Sequence, residues 1–493
     1  MPIFEYGDIF PSTAHQERIG RYKRNRQLFK GEHFEVLTRL NAGDYKDLLY
    51  ISMNIVGLIC KKSADFLFSE SARILAPDSA GQTILDDITN TNHMDILSYE
   101  SALANAYKGD IFFKLMYGQE FEGVVPSAYD PFKVRIALQN PEYVYPETNA
   151  MNAKQIIKFH IVIPEQIDKV NYLLHIETHE PMQIRYNTCK AVPMSYYPDM
   201  SVKSWKIGAF TTEEEIVYTG VGRPLVIHVP NYSVDDSFEG IDDISEFIPL
   251  IDEINNRLTQ IASILDKHAD PALAVPTGTL GEDENGNPVF NVSYNKVFET
   301  DSKEDFIPQY IVWNGQLESA FKELTTLIDN LYTMAEIPPV ALGKDESGTS
   351  GSSGLAIKYR LNSMLAKTNR KRRYYQKGLT ELYILAQQLE ASMTGAAKTL
   401  VLPQIIFRDG LPNDYVSDAN VMQVRTNSAQ TMSVKTALMT YQGFTEEQAD
   451  SEVKKILEER KLNKELFEDT DKPEGTDNRM KEDNSSEISV TEE

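Results

Sequence analysis

The chain has 493 residues, of which 41% are hydrophobic, and a formal net charge of -24. Its length is enough for two or more folded domains. The negative charge argues against a protein that wraps nucleic acid tightly, because such binding depends on cations that neutralise phosphates. Only two cysteines are present, Cys60 and Cys189, so a disulfide framework is excluded and a reducing compartment is expected. We expect no signal peptide and no membrane partner, because no apolar run is long enough to span a bilayer.

The first 239 residues predict helices followed by a strand-rich region. Helical patterns cover residues 15–30, 54–68 and 83–107. Short β-prone runs, separated by Pro, Asn and Gly, follow at residues 111–117, 134–138, 155–163, 172–178, 182–186 and 225–229. Residues 400–407, much later in the chain, predict a strand that returns to this sheet. The fold class is therefore predicted to be α+β.

Two amphipathic helices are predicted in the middle of the chain. Apolar residues recur at steps of three and four over residues 244–265 and again over residues 317–331. This spacing gives each helix one apolar stripe. Pro338 and Pro339 end the second helix, since proline cannot donate to a helical ladder.

A short β-rich insert lies between the two helices. Residues 271–275 and 289–292 are β-prone, and the Asn285-Gly286 pair between them is a strong turn signal. The pattern predicts that these two runs form one hairpin. Such an insert buries little by itself, so we expect it to pack against copies of itself or against another protein.

A Gly- and Ser-rich segment, residues 343–354, follows the second helix and predicts a flexible polar loop. A phosphate-cradling loop is the weaker alternative, because the Gly-Lys-Ser/Thr ending and the preceding buried strand of a P-loop are missing. A further helical stripe then runs from Ile357 to Leu389.

That last helix is basic, and no acidic residue lies between Glu346 and Glu381. Its cations are Lys358, Arg360, Lys367, Arg370, Lys371, Arg372, Arg373 and Lys377. They fit a solvated face, or pairing with acids of a neighbouring subunit, better than contact with phosphates, because no interleaved aromatic residues or groove-reading motif accompany them.

The candidate sites for metal ions and catalysis are weak. His175, Glu177 and His179 would share one face of a strand, but no distant third ligand accompanies them. A run of acids precedes the first amphipathic helix and predicts a solvated helix start rather than a cation site. Its members are Asp235, Asp236, Glu239, Asp242 and Asp243. No nucleophile, metalloprotease or dinucleotide-binding motif occurs, so we predict no enzyme activity and no cofactor.

The chain is predicted to end in two helices and an acidic tail. The helices cover residues 414–442 and 445–460, and Thr445 to Gln448 has the form of a capping box. The tail, residues 468–493, is poor in apolar residues and rich in acids, which predicts disorder.

The order of these parts resembles the portal (head-to-tail connector) proteins of tailed bacteriophages, of the type common in long-tailed phages of Gram-positive hosts. Three pieces carry the resemblance. They are the block Asn54 to Phe68; Val229 to Ser233 followed by Gly240 to Asn256; and Ile337 to Pro339 followed by Ser350 to Lys358.

The resemblance implies a fold with a strand-rich wing, a two-helix stem, a small α/β clip, a tunnel loop with a long helix, and a helical crown. The implied segments are wing 1–239, first stem helix 240–267, clip 268–312, second stem helix 313–339, tunnel loop 340–354, long helix and return strand of the wing 355–411, crown 412–466 and acidic tail 467–493.

The resemblance also implies a dodecameric ring at one capsid vertex, assembled in the host cytoplasm, through which double-stranded DNA is packaged and ejected. The implied partners are the terminase large subunit, head-completion and connector proteins, and the major capsid and scaffolding proteins. The loop residues implied to face DNA are Lys344, Asp345, Glu346, Ser347, Thr349, Ser350, Ser352 and Ser353. The clip residues implied to meet docking partners are Glu282, Asp283, Glu284 and Asn285. A capsid scaffold or adaptor protein and a metal-dependent nucleic-acid enzyme are the alternatives.

Overall fold

The computed structural model describes residues 3–37, 50–121, 123–234, 237–269, 317–344, 354–395, 400–408, 415–427, 430–442, 444 and 446–469, and four two-residue strands between residues 273 and 310. The chain divides into two units, Met1–Leu411 and Pro412–Glu493. Helices and strands are mixed, which confirms the α+β class at this level.

The helices of the first unit are α1 (Thr13–Lys30), α2 (His33–Val36), α3 (Ile55–Phe68), α4 (Ser79–Thr91), α5 (Met94–Lys108), α6 (Ile248–Ala269), α7 (Leu317–Met334), α8 (Gly354–Arg360) and α9 (Asn362–Thr394). Its strands are β1 (Ile9–Phe10), β2 (Arg73–Leu75), β3 (Asp110–Gly118), β4 (Lys133–Gln139), β5 (Val144–Asn149), β6 (Asn152–Gln166), β7 (Tyr172–Glu180), β8 (Gln183–Tyr196), β9 (Val202–Phe210), β10 (Glu215–Tyr218), β11 (Val226–Pro230), β12 (Leu273–Ala274), β13 (Gly281–Glu282), β14 (Pro288–Val289), β15 (Gln309–Tyr310) and β16 (Gln404–Ile406). The second unit contains α10 (Tyr415–Thr426), α11 (Val434–Ala437), a π-helical turn (Leu438–Gln442) and α12 (Glu446–Asp469).

The largest sheet is antiparallel, in the order β1-β9-β8-β7-β6-β5, and β10 pairs with the first residues of β8. In β7, Leu174 and Ile176 are buried and His175 between them is exposed, as expected for a strand with one buried face. Ile19 of α1 belongs to the same apolar cluster, so α1 covers this face.

The second sheet, β11-β3-β4, is sandwiched between α9 and the larger sheet. Phe113 of β3 packs in one cluster with Tyr375 of α9. Phe112, on the opposite face of β3, packs against Phe159 of β6 with ring centroids 6.0 Å apart. Burial on both faces accounts for the uninterrupted apolar run at the start of β3.

The predicted strand runs over the first 239 residues all overlap observed strands. Strands β1, β2, β5, β9 and β10 were not predicted from the sequence. Both cysteines are buried and free of a disulfide. Across the ranges that the structure describes, the helices are too short or too polar to cross a bilayer.

The prediction of one helix over residues 83–107 is wrong, because α4 and α5 separate at Asn92 and His93. His93 adopts a left-handed φ of 45°. The Asn92 side chain donates to the carbonyl of Val134 (3.1 Å) and accepts the N–H of Ile136 (2.7 Å). Asn92 thus bonds to the free edge of β4, and this tertiary bonding overrides the helical periodicity.

The predicted pairing of two later β segments is also wrong. β16, from the 400–407 run, pairs with β2 in a separate two-stranded sheet and does not return to the strand-rich region. In the insert, β12 pairs with β15 and β14 pairs with β13, so the two predicted runs do not form one hairpin. Turn signals fix local reversals, whereas partners far apart in sequence are chosen by packing.

The prediction of one helix over residues 414–442 fails for a local reason. α10 and α11 are separate helices, and the hydroxyl of Ser433 accepts the N–H of Thr436 (3.1 Å), which caps the start of α11. A serine in this position favours a helix start over a helix interior. The following helix extends to Asp469, beyond the predicted end, and Thr445 of the predicted capping box lies outside the described residues.

A close backbone crossing fixes the segment that leads into α6. The N–H of Gly240 donates to the buried carboxylate of Asp110 (2.7 Å), which also accepts the hydroxyl of Tyr22 (2.5 Å) and lies 2.8 Å from Nε2 of His228. A Cβ on Gly240 would lie 1.9 Å from the carbonyl oxygen of Gly109. Glycine is therefore required at residue 240 by space.

We expect Gly240→Ala to destabilise the protein by about 1–3 kcal/mol, because the added methyl group forces the two backbones apart. Gly222→Ala is the matched control, since a Cβ there meets nothing within 4 Å. Calorimetric Tm values should fall for the first variant and stay near wild type for the second. Equal Tm values for both variants would show that the crossing has room to relax.

Candidate functional site

The helices α6 and α7 pack side by side and run in opposite directions. Phe247, before the start of α6, and Met334, at the end of α7, line one cavity of about 50 Å³. Farther along the pair, Nε of Arg257 lies 3.2 Å from Oε1 of Glu323 and 3.0 Å from Oε1 of Glu253. The two apolar stripes that the sequence predicted meet in this contact, with Ile254 and Leu331 fully buried.

The helix pair is buried at one end and exposed at the other. Leu265 near the end of α6 and Phe321 near the start of α7 are 45% and 46% exposed. The 22 residues of α6 correspond to a length of roughly 33 Å. The chain therefore leaves α6 and enters α7 at the exposed end of the pair.

A buried ion cluster holds the other end. We call it the Asp243 cluster: Asp243, Ser63, Asn231, Lys367 and Lys371. The Asp243 side chain is 1% exposed and forms an ion pair with Lys371, and Nζ of Lys367 lies 3.8 Å from its Oδ2. The hydroxyl of Ser63 (2.7 Å) and the amide of Asn231 (2.9 Å) donate to the same carboxylate.

Charge neutralisation keeps this cluster ionised despite its burial. Burial alone would raise the pKa of Asp243, but the ammonium groups of Lys367 and Lys371 outweigh it and hold the pKa well below its ordinary value. Burial lowers the pKa of Lys371 to about 8, with Asp243 opposing that shift. One carboxylate therefore serves two lysines, and its loss would leave both without a counter-ion.

Two further contacts tie the end of α7 to the start of α9. The Lys367 ammonium donates to the carbonyl of Ala335 (3.1 Å), just past the last turn of α7. Arg370 forms an ion pair with Glu336, whose φ is +61°. These contacts tie the segment just after α7 to α9 and lie outside the predicted tunnel loop on both sides.

A polar contact also fixes the middle of α6. Asn255 is fully buried, accepts the N–H of Met53 (3.1 Å) and donates to Nδ1 of His33 (2.9 Å). His33 accepts this bond in its neutral form, and burial lowers the pKa of His33, which favours that form. The middle of α6 is thus held to the N-terminal part of the unit by Asn255, in addition to the Asp243 cluster near its start.

The predicted DNA-facing and docking residues are only partly described. Lys344 is exposed, and its N–H donates to the carbonyl of Pro339 (3.0 Å). Glu282 lies in β13 opposite Pro288. The others lie outside the described residues: Asp345, Glu346, Ser347, Thr349, Ser350, Ser352, Ser353, Asp283, Glu284 and Asn285.

The structure corrects two interpretations of charge. Asp242 and Asp243 were predicted to start a solvated helix, yet both are buried and bonded within the fold. Lys367 and Lys371 were assigned to a solvated or intermolecular face, yet they neutralise Asp243. The sequence contains a signal for this: Lys367 and Lys371 fall in phase with Met364 and other buried apolar positions of α9.

The histidine-rich strand β7 is built for packing and ion pairing. Nε2 of His175 lies 2.6 Å from a carboxylate oxygen of Glu165, and Nε2 of His179 lies 3.0 Å from Glu177. Burial opposes ionisation of Glu177, but His179 and Lys114 lower its pKa to about 2. Over the described ranges, no three His, Cys, Asp or Glu side chains are grouped as ligands for a metal ion.

We expect Asp243→Asn to lower Tm strongly, because removing one side of a buried ion pair costs about 3–5 kcal/mol. Asp266→Asn removes an exposed carboxylate near the end of α6 and is the matched control, with an expected change below about 0.5 kcal/mol. Scanning calorimetry of the two variants measures the difference. A Tm for Asp243→Asn within a degree or so of the control would show that the cluster does not stabilise the fold.

The same carboxylate predicts an acid-sensitive step. Because the pKa of Asp243 is lowered from 3.8, its stabilising charge is present above about pH 4 and is lost as the pH falls through the folded-state pKa. Wild type should therefore lose more stability than Asp243→Asn on acidification from about pH 6 to about pH 3. Parallel declines in Tm for the two proteins would contradict this assignment.

Comparison with known proteins gives a family match that spans most of the chain. Residues 11–466 match the family described as "Phage portal protein, SPP1 Gp6-like". No curated protein sequence matches. Among solved structures, a chain in "Virion of native gene transfer agent (GTA) particle" is 10% identical with a TM-score of 0.41, covering 88% of this chain and 95% of its own. A chain in "Neck of empty GTA particle computed with C6 symmetry" is 10% identical with a TM-score of 0.44, covering 78% and 89%.

Both TM-scores are too low to add to an assignment of function. The family match is different in kind, because it covers the strand-rich region, both helices of the α6–α7 pair, the loop that follows them and α9. The chain belongs to the phage portal protein family of the SPP1 Gp6 type.

Proposed function

We propose that this chain assembles as a dodecameric ring at one capsid vertex and that double-stranded DNA passes through the ring during packaging and ejection. The observation that carries the proposal is the family match over residues 11–466. The geometry of the α6–α7 pair supports it, since a projecting helix pair on each subunit can line a channel when copies close around an axis.

The proposed segments follow from that arrangement. The wing is 1–239, the stem is 240–267 with 313–339, and the clip is 268–312. The tunnel loop is 340–354, followed by the long helix and strand of 355–411, the crown of 412–466 and the tail of 467–493. The exposed end of the α6–α7 pair carries the clip, where the terminase large subunit and later the head-completion proteins dock. Glu282, Asp283, Glu284 and Asn285 are the proposed docking residues.

The charge of the chain suits a conduit better than a tight binder. A chain with a formal charge of -24 repels phosphates, so a duplex can slide through a ring of such subunits without a preferred register. In the loop, Lys344 is followed by Asp345 and Glu346, so contacts with DNA are weak and screened by salt. The sequence carries no P-loop, and nucleotide hydrolysis is the task of the docked motor.

The contacts on either side of the tunnel loop give the proposal its most specific content. Lys367 and Arg370 of α9 bond to Ala335 and Glu336, just after α7, so residues outside the loop tie the stem to α9. A change in residues 345–353 can therefore alter the contact with DNA while leaving these contacts in place. The proposed DNA-facing residues are Lys344, Asp345, Glu346, Ser347, Thr349, Ser350, Ser352 and Ser353.

We expect deletion of residues 347–353 to leave rings intact and to stop DNA filling of capsids, because the stem contacts remain and only the channel-facing segment is shortened. Deletion of residues 487–493, which removes the same length from the acidic tail, is the matched control. Negative-stain images of purified rings and nuclease-protected DNA in assembled heads measure the two effects. Normal filling by the loop deletion would refute the role of the loop, and particles of the wild type without a central opening would refute the ring.

A further inference from the structure

We infer that Arg373 and Lys377, on the exposed side of α9, bind carboxylates of an adjacent copy of this chain. The inference deepens the proposed ring and rests on it. It assigns a subunit contact to two residues that the fold of one subunit does not use.

The other cations of this half of α9 have partners inside the subunit. Lys367 and Lys371 neutralise Asp243, and Arg370 pairs with Glu336. Arg372 donates to the carbonyl oxygens of Phe66 and Arg408. These contacts account for the cations that point toward the body of the unit.

Arg373 and Lys377 differ in both exposure and pairing. Both side chains are exposed, and no carboxylate within the described part of the chain lies within ion-pair distance of either. They are one helical turn apart, so they project from the same side of α9, where like charges repel. In an isolated subunit this pair is unfavourable, and a partner with negative charge would relieve it.

Charge complementarity favours a second copy of the chain as that partner. Each copy carries a formal charge of -24, so copies that approach one another repel unless cations on one meet acids on the next. Acids without an ion-pair partner are available on the exposed surface, among them Asp95, Glu100, Glu318 and Asp329. Cations that the fold leaves unpaired are therefore suited to a contact between subunits.

DNA is the weaker candidate for the same two residues. Binding to a duplex gains its strength from neutralising several phosphates at once. Two cations on an acidic chain can neutralise only a few phosphates, whereas two carboxylates are enough to pair with both cations. If a variant without these two cations forms rings but retains less DNA, the two residues bind phosphate and not a neighbouring subunit.

The test is reversal of both charges. We expect Arg373→Glu/Lys377→Glu to reduce the fraction of chains in rings by at least about tenfold, since attraction becomes repulsion at each subunit contact. Lys169→Glu/Lys206→Glu makes the same change in net charge at two other exposed lysines and should leave ring yield near that of wild type. Native mass spectrometry and negative-stain counts at several salt concentrations measure ring yield. Unchanged circular dichroism and Tm show that the reversal variant still folds.

A zero-length carbodiimide cross-link identifies the partner directly. Rings assembled from a mixture of nitrogen-14 and nitrogen-15 chains should yield peptides in which Lys377 of one label is joined to an Asp or Glu of the other. Cross-links of Lys377 only within one label would overturn the inference.

The remaining outcomes separate this inference from the proposed function. Rings formed by the reversal variant as abundantly as by wild type overturn the subunit contact and leave the ring standing. The same result with weaker retention of duplex DNA overturns it in favour of phosphate binding. Absence of rings in wild type overturns both.

Discussion

One buried carboxylate holds four segments of the first unit together. Asp243 precedes α6 and neutralises Lys371 and Lys367 of α9, while Ser63 of α3 and Asn231 after β11 complete its hydrogen bonds. A buried charge without a counter-ion is costly, so none of these segments can leave the cluster alone. The orientation of the α6–α7 pair relative to the sheets is thereby set by charge as well as by apolar packing.

The start of the α6–α7 pair is fixed at three places. It is held by the Asp243 cluster, the Asn255 contacts and the Gly109–Gly240 crossing. Under the proposed function, a passing duplex meets the segment 343–354, whose Gly- and Ser-rich sequence imposes little conformational preference. Because the contacts of Lys367 and Arg370 lie outside that segment, a change within it is not required to disturb them.

Periodic patterns made much of the architecture predictable from sequence. Steps of three and four located α6 and α7, and the β-prone runs located β3, β4, β6, β7 and β11, because each pattern reflects the burial of one face. The order of the parts was enough to indicate the family. The basic character of α9 was also evident, although its meaning was not.

Features that depend on distant partners could not be predicted in the same way. The break at Asn92 arises from its bonds to β4, and the pairing of β16 with β2 joins segments over 300 residues apart. Burial of Asp243 follows from lysines more than 120 residues later in the chain. The local sequence pattern shows only that Asp243, Lys367 and Lys371 are polar. The folded structure shows that the aspartate and the lysines are paired.

The sequence separation within the Asp243 cluster has a consequence for biosynthesis. Ser63 and Lys371 are 308 positions apart, so the cluster cannot close until most of the chain has left the ribosome. Contacts this remote form late, because the intervening chain must first be ordered. A nascent or truncated chain that ends before α9 leaves Asp243, at the start of the α6–α7 pair, without its two lysines. Only a chain that extends through α9 can therefore close the cluster that holds this helix pair to the sheets.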